Sequence, residues 1–313
     1  MSRLVESTLS SSKVSGRAIS RRGFIPVDYL VLGYACFTSI LLMMPSVQPA
    51  DRVVWLLFNA IVTGGVIGLR RVDVNSDQTL VRILRRCYPI LLFTLFYEQT
   101  QPLIHVFFTG WFDAQLVDFE IWILGFQPSL KVVDYYHPLL NEIIIACYVS
   151  YYLFLVFGVV GMLWKRREEV VDHMLTASVI AFIVSYVLFF LYPVEGPRHH
   201  LAEMLGTTME GYVFVPLVHR IMQDAAVHGG AMPSSHTAVA LIVLYYLFRH
   251  SKRLGVILSP ITIGILVGCV WGEFHYISDV VVGCIIAVAA IWVAELMYRK
   301  KIFGSGRIWY QTG

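Results

Sequence analysis

Three short stretches of the chain combine histidine, arginine and aspartate with residues that shape turns and helix starts. They lie at residues 192–200, 231–237 and 271–279 and read YPVEGPRHH, AMPSSHT and WGEFHYISD. Near neutral pH histidine can act as a nucleophile or a general acid, aspartate can orient it, and arginine binds oxyanions. Brought together, these residue types would favour nucleophilic or acid–base chemistry on an anionic substrate.

The second stretch has the pattern of a helix start. Pro233 precedes Ser234 and Ser235. Serine is a preferred N-cap residue, and proline favours the first turn or the position before it. The N–H groups of a helix N-terminus form an anion site. The pattern therefore predicts that this helix start meets a bound oxyanion and that His236, in the first turn, lies within its reach.

The third stretch places His275 and Asp279 four residues apart. On one helix the two side chains would share a face. Asp279 could then accept one imidazole N–H and leave the other ring nitrogen of His275 ready to attack, as in a catalytic triad. In the first stretch Arg198 offers a planar fork for phosphate oxygens.

Each of these features also has an ordinary structural interpretation. Single interfacial histidines are usually solvated or packed, Pro-Ser-Ser is a common cap, and a His–Asp pair at this spacing is a common helical contact or half of a metal site. A metal centre would need three or four ligands at compact spacing, such as HExxH, and the sequence lacks that motif. We therefore expect no metal and no cofactor. The five cysteines form no CxxC pair and are interpreted as small buried hydrophobic residues.

The elements that must position these residues are membrane helices. Hydrophobic residues make up 57% of the 313 residues, charged residues only 14%, and the mean hydropathy is +0.68. A soluble domain carries about 25% charged residues. Much of the chain is therefore expected to face lipid, which excludes a disordered, collagen-like or small disulfide-bonded protein. The net charge of +3 is too weak to indicate nucleic acid as a partner.

A helix that crosses a membrane needs about 20 apolar residues. The sequence contains eight candidates, at residues 27–45, 53–69, 87–109, 139–164, 174–192, 234–249, 254–272 and 279–298. The predicted fold class is therefore all-α, a polytopic membrane protein with about eight transmembrane helices. Residues 113–125 are too polar to span and suit a helix in the membrane interface, with Trp111 and Trp122 as anchors.

Lysine and arginine predict the orientation, because they are enriched on the cytosolic side of membrane proteins. Twenty of the 24 fall in the two termini and in the loops 70–86, 165–173 and 249–253. Both termini are thus expected to be cytosolic. The loops expected to face the extracytoplasmic or lumenal side are 46–52, 110–138, 193–233 and 273–278. This topology brings all three reactive stretches to the same membrane face.

The paired motifs resemble those of a known family. Residues 233–237, followed by His275, Tyr276 and Asp279, are similar to the second and third signature motifs of the type 2 phosphatidic acid phosphatase (PAP2) superfamily. Gly196-Pro197-Arg198 looks like the end of its first motif. The resemblance covers residues 87–298, taken as a six-helix catalytic core. Residues 27–86 would then form two additional transmembrane helices, with a disordered cytosolic tail at 1–26 and a second cytosolic tail at 299–313.

Two positions depart from the family pattern. Leu191 occupies the place of a lysine in the first motif, and Cys269 that of an arginine in the third. Two phosphate-holding cations are thus missing. The pattern is closer to the branch that contains fungal inositol phosphorylceramide synthase, which residues 126–129 and the stretch from Tyr148 to Tyr152 also resemble.

The resemblance implies a role for each residue. His275 would be the nucleophile that forms a phosphohistidine, Asp279 would orient it, and His236 would protonate the leaving alcohol. The substrate would be bound by backbone N–H groups and by the side chains of Arg198, Ser234, Ser235, His199 and His200. This chemistry needs no metal.

These roles suit two kinds of enzyme that share a phosphoenzyme. In a lipid-phosphate phosphatase, which we favour, water accepts the phosphoryl group. In a head-group transferase of the inositol phosphorylceramide synthase type, a lipid or polyol hydroxyl accepts it. A transporter or inactive scaffold is a third hypothesis, in which Glu98 and His105 would suit a proton path. The expected partners are a lipid phosphate or phospholipid substrate and membrane lipids.

Polar residues in the third and fourth predicted spans allow two interpretations. They can line a head-group or acceptor pocket, or they can form hydrogen bonds between helices. The residues concerned are Glu98, Gln99, Gln101 and His105 in the third span and Asp134, Asn141 and Glu142 near the start of the fourth.

Overall fold

The computed structural model describes residues 23–75, 79–206, 209–224 and 227–300, and within these ranges the chain is all-helical. In chain order the α-helices are α1 (Pro26–Leu42), α2 (Pro49–Asn75), α3 (Thr79–Thr100), α4 (Asp113–Leu124), α5 (Pro128–Lys131), α6 (Pro138–Trp164), α7 (Glu168–Leu191), α8 (Pro197–His200), α9 (Ala202–Leu205), α10 (Phe214–Asp224), α11 (Ser235–His250), α12 (Lys252–Trp271) and α13 (Ile277–Arg299). The predicted tails fall almost entirely outside the described residues.

A helix occupies each of the eight positions predicted to cross the membrane. Five are long and apolar enough to do so, namely Pro49–Val72 within α2 together with α6, α7, α12 and α13. Helix α1 is apolar but has only 17 residues, and α11 has 16. The chain is thus consistent with an integral membrane protein that has five candidate spans, and the count of eight remains a prediction.

Helix α3 covers Thr79–Thr100, so it begins before the predicted third span, 87–109, and ends nine residues before that span does. Its first turns carry Arg85 and Arg86, which were expected in a loop at 70–86. Arg85 is buried against the carboxylate of Asp28, and Nε of Arg86 lies 2.9 Å from the carboxylate of Asp172. Paired charges can be buried in a way that single charges cannot. Helix α3 therefore extends well into the predicted loop.

Helix α7 lies at the centre of the bundle. It packs against α1, α3, α11 and α13, and Phe189 and Phe190 near its end are fully buried. The outer faces of the bundle carry large apolar side chains instead: Ile61, Leu91 and Val288 are 73%, 72% and 70% exposed. Such surfaces suit contact with lipid tails rather than water.

Helix α4 coincides with the predicted interfacial helix 113–125. Its last residue is Leu124, and Gly125, whose φ is +79°, caps its C-terminus. Trp122 on its outer face is 79% exposed, in keeping with an anchor. Trp111 packs inside instead, with its ring 4.3 Å from His105 and 5.0 Å from His228 between centroids. The inner face of α4 buries Asp113, Leu116 and Glu120.

Polar residues of α3 and the turn after it hold neighbouring segments. Nε2 of Gln99 donates to Oδ1 of Asn59 at 3.0 Å, which joins α3 to α2. Oε1 of Gln101 accepts the N–H of His228 at 3.0 Å. Nδ1 of His105 lies 2.8 Å from the carbonyl of Phe108. These contacts favour the structural interpretation over a head-group pocket.

The polar residues near the start of α6 have a similar structural use. Asn141 donates to the carbonyl of Glu210 at 2.9 Å and accepts the indole N–H of Trp271 at 3.0 Å. The Glu142 carboxylate accepts backbone N–H groups of residues 212–215 at the start of α10. Asp134 forms an exposed ion pair with Lys131.

Candidate active site

The structure brings the three reactive stretches together through backbone hydrogen bonds. The N–H of Ala231 donates to the carbonyl of Val194 at 3.1 Å. The N–H of Arg198 donates to the carbonyl of Glu273 at 3.0 Å. The N–H of Ser234 donates to the carbonyl of Asp279 at 3.0 Å. Each stretch is thus bonded to another, so that their side chains occupy fixed relative positions.

Glycine is required where the first and third stretches cross. Gly196 has a φ of +92°, a conformation that side chains disfavour. A Cβ atom at this position would lie 2.9 Å from the carbonyl oxygen of Phe274. Gly196 therefore permits the turn that carries Pro197 and Arg198 to pass directly over the segment that holds His275.

Helix α11 begins as its sequence predicts. Ser234 is the N-cap, and its hydroxyl accepts the N–H of Thr237 at 3.3 Å. His236 lies in the first turn. The hydroxyl of Ser234 is fully buried and already engaged, and Ser235 is 7% exposed. The N–H groups of α11 that precede Thr237 have no acceptor within the helix, so they are better suited than the hydroxyls to meet an anion.

His275 and Asp279 are close, but they do not share a helix face as expected. Helix α13 begins at Ile277, so His275 precedes it, while Asp279 accepts the N–H of Tyr276 at 2.8 Å and closes the first turn. Nδ1 of His275 lies 3.5 Å from Asp279 and only 2.7 Å from the carbonyl of Ala231. The nearer acceptor fixes the proton on Nδ1, which leaves Nε2 with its lone pair.

His236 faces His275 from inside a group of tyrosines. The two imidazole rings lie 5.6 Å apart between centroids. The ring of Tyr148 stacks on His236 at 5.0 Å with its hydroxyl 3.4 Å from Nε2, and the ring of Tyr151 lies 4.2 Å away. Tyr152 lies beyond, at 6.4 Å. These three tyrosine rings restrict the access of solvent to one side of His236.

Arg198 is half-buried, and its guanidinium makes no hydrogen bond or ion pair with the residues described. Burial lowers the pKa of Arg198, while the nearby Tyr148, Tyr97 and Glu273 raise it in part. Burial also raises the pKa of Glu273, whose carboxylate accepts the hydroxyl of Tyr136 at 2.7 Å. An arginine remains protonated under all such shifts, and none of the described residues accepts from its five N–H donors.

His199 and His200 follow Arg198, and both are exposed. The ring of His199 lies 4.7 Å from that of His228. Although much of His199 is exposed, the packed part of the side chain is desolvated, and this, with the nearby Arg198 charge, lowers its pKa to about 4. His199 is therefore neutral at pH 7 and contributes little charge to phosphate binding.

His200, Asp113 and Glu195 bring donor atoms within 4.8 Å of one another, a spacing that a metal ion could use. The Asp113 carboxylate, however, already accepts three hydrogen bonds, from the N–H groups of Glu195 and Gly196 and from the hydroxyl of Tyr276. Glu195 in turn lies 2.6 Å from Nε2 of His228. Asp113 and Glu195 are thus already engaged in contacts that hold the first stretch in place.

The two positions that depart from the family pattern do not contribute charge in another way. Leu191, at the end of α7, is 45% exposed and apolar. Cys269 is fully buried in α12, with its sulphur 3.5 Å from the hydroxyl of Ser234 and 3.9 Å from that of Thr237. The thiol supports the N-cap of α11 from beneath.

Several residues at this site were missed in the sequence. The role of the Ala231 carbonyl has no signal in the sequence, because every residue has a backbone carbonyl. Tyr148 was noted only as part of a resemblance. Asp113 and Glu120 do carry a signal: they are seven residues apart in a predicted helix and so lie on one face.

One comparison with known proteins identifies a family. The family model for the PAP2 superfamily matches residues 114–293, which include all three stretches and α4 from its second residue onward. No curated protein and no solved structure matches the chain.

Proposed function

The chain belongs to the PAP2 superfamily, and from this premise we propose that it is a membrane-embedded lipid-phosphate phosphatase acting through a phosphohistidine, without a metal. Family membership supports a phosphatase-type or related phosphotransferase function.

The observation that carries the proposal is the anchoring of His275. Its Nδ1 lies 2.7 Å from the carbonyl of Ala231, and its ring faces that of His236 at 5.6 Å. Nε2 of His275 attacks phosphorus and forms the P–N bond while the P–O bond to the alcohol breaks. His236 gives its proton to the leaving oxygen. His236 then takes a proton from water, which attacks phosphorus, breaks the P–N bond and releases phosphate.

The charge that develops on phosphorus oxygens needs stabilisation, which is the main task of a protein in phosphoryl transfer. Arg198 supports this role with a guanidinium unpaired among the described residues. The first N–H groups of α11 add a helix N-terminus beside His236. Asp279, 3.5 Å from Nδ1 of His275, stabilises the positive charge that the ring acquires in the phosphoenzyme.

A head-group transferase is the second candidate, and the tyrosines around His236 favour it. Tyr148, Tyr151 and Tyr152 all lie within 6.4 Å of that ring between centroids. Exclusion of water would preserve a phosphohistidine until an alcohol arrives. In this reaction a lipid or polyol hydroxyl replaces water in the second step, and every other role is unchanged.

We further propose eight membrane crossings, with the site on the extracytoplasmic or lumenal side and both termini in the cytosol. The basis is the distribution of lysine and arginine along the sequence. The ends of α1, α3 and α7 that carry Asp28, Arg85, Arg86 and Asp172 would then lie on the cytosolic side.

The test uses the purified full-length protein in lipid–detergent micelles with a panel of radiolabelled lipid phosphates. Free phosphate and transferred head group are scored in the same reaction, with and without added diacylglycerol, ceramide or inositol as acceptors. We expect an acid-labile, alkali-stable phosphoenzyme that His275→Gln abolishes. Transfer without free phosphate would favour the transferase, and turnover that survives His275→Gln would refute the mechanism for both.

A further inference from the structure

Helix α4 turns two acidic side chains toward the site. Asp113 and Glu120 are 0% and 2% exposed, and with Leu116 they form its buried face. A buried carboxylate is costly unless it is hydrogen-bonded. The hydrogen-bond partners of Asp113 and Glu120 therefore show which segments of the site are fixed by helix α4.

Asp113 joins the first and third stretches. One carboxylate oxygen accepts the N–H of Gly196 at 2.9 Å and the hydroxyl of Tyr276 at 3.0 Å. The other accepts the N–H of Glu195 at 2.9 Å. Gly196 is two residues before Arg198, and Tyr276 directly follows His275. A single side chain thus sets the distance between the phosphate-binding stretch and the nucleophile.

Glu120 holds the start of α13. Its Oε1 accepts both the N–H and the hydroxyl of Ser278, at 2.7 and 2.9 Å. A carboxylate at a helix N-terminus is favoured by the partial positive charge there. The residue after Ser278 is Asp279. Glu120 therefore fixes the turn that carries the partner of His275.

We propose that Asp113 and Glu120 are positioning residues for phosphoryl transfer, and that α4 serves as a clamp between the phosphate-binding stretch and the nucleophile. The proposal rests on the proposed function. Both residues act through other groups: Asp113 through the backbone near Arg198 and the hydroxyl of Tyr276, Glu120 through Ser278. A misplacement of about 1 Å between reacting groups costs on the order of 10²-fold in rate.

The two residues predict different kinetic effects. Asp113→Ala releases both stretches, so we expect kcat to fall by on the order of 10²-fold and KM to rise. Glu120→Ala releases only the nucleophile side, so we expect kcat and the rate of phosphoenzyme formation to fall roughly tenfold, with KM unchanged. Asp118→Ala removes an exposed acid from the same helix and should leave both parameters at wild-type values.

Conservative variants separate positioning from charge. Glu120→Gln keeps an oxygen for Ser278, and Oε2 of Glu120, which the amide nitrogen would replace, has no hydrogen-bond partner among the described residues. Glu120→Gln should therefore restore wild-type turnover. Asp113→Asn keeps one acceptor oxygen and should lose less activity than Asp113→Ala. If Glu120→Gln is as slow as Glu120→Ala, Glu120 acts through its charge and the proposal for this residue is wrong.

A measurement that needs no turnover completes the test. Hydrogen–deuterium exchange should be faster in both 194–200 and 273–279 for Asp113→Ala, only around 276–280 for Glu120→Ala, and in neither for Asp118→Ala. An inactive wild type with this exchange pattern would refute the proposed function but not the clamp. Unchanged exchange in Asp113→Ala, or full activity per folded molecule, would overturn the clamp itself.

Discussion

Replacing Arg198 by lysine tests how the site holds phosphate. The Arg198 side chain is half-buried and its guanidinium has no acceptor among the described residues, so its donors remain available for a phosphate. A guanidinium binds two phosphate oxygens through a planar fork, whereas an ammonium is a point charge. Arg198→Lys therefore keeps the charge and removes the geometry.

The structure indicates a large effect. Leu191 is apolar and 45% exposed, and Cys269 is buried beneath the α11 cap, so neither replaces the cations that the family pattern has at these positions. The pKa of His199 is lowered to about 4, mainly by burial, and leaves that ring neutral at pH 7. Loss of one donor to a developing oxyanion costs on the order of 10² to 10³-fold in kcat. We expect a fall in this range for Arg198→Lys.

The assay compares initial rates of phosphate release by wild type, Arg198→Lys and Arg253→Lys in the same lipid–detergent micelles. Arg253 is exposed near the start of α12, at the end opposite Trp271, and should tolerate lysine. Orthovanadate, which mimics pentavalent phosphorus, should inhibit Arg198→Lys far more weakly than wild type. Near-normal turnover of Arg198→Lys would refute this reasoning and assign the phosphate to the N–H groups at the start of α11.

The other predictions concern protonation, metal dependence and topology. His236→Ala should slow a poor alkoxide leaving group by roughly 10² to 10⁴-fold more than an activated phenolate ester, and equal slowing would refute its role as general acid. Turnover should survive EDTA; loss of turnover that one divalent metal restores would contradict this. Because the pKa of His199 falls from 6.5 to about 4 in the fold, the unfolded chain binds a proton more readily than the folded protein does. The folded protein therefore keeps its full stability above pH 6.5 and loses part of it as the pH falls toward 4. His199→Gln should therefore flatten the pH dependence of thermal unfolding in that window, and an unchanged profile would contradict the shift. An impermeant thiol reagent applied from outside should label Met204→Cys and not Glu169→Cys, both exposed positions, and the reverse pattern would invert the topology.

The helices could be predicted from the sequence because apolar runs of spanning length are a strong signal. Every predicted span falls on a helix, and α4 begins at the predicted residue. The ends of the helices were less predictable where tertiary contacts determine them. Arg85 and Arg86 looked like loop residues because only the fold shows their acidic partners on α1 and α7.

The candidate site was predictable where local chemistry determines structure, as at the Ser234 cap and the first-turn position of His236. The site was not predictable where a backbone group distant in sequence determines the orientation of a side chain. The spacing of His275 and Asp279 indicated a shared helix face, yet α13 begins after His275, and Nδ1 lies closer to the carbonyl of Ala231 than to Asp279. A carbonyl from another stretch leaves no trace in the sequence.

The resemblance to the family motifs places Leu191 and Cys269 where two cations are expected, and this departure bears on the proposed role of α4. At position 269 the side chain points to the hydroxyls of Ser234 and Thr237, where a buried thiol fits and supports the helix start. In the proposed mechanism, with fewer cations, charge stabilisation would depend more on a single arginine and on oriented N–H groups, which act only at short range and in the correct direction. Such a site tolerates less displacement than one surrounded by several cations. The hydrogen bonds from Asp113 to the stretch before Arg198 and to Tyr276 hold that alignment, so we expect the clamp to matter more here than in a relative that retains both cations.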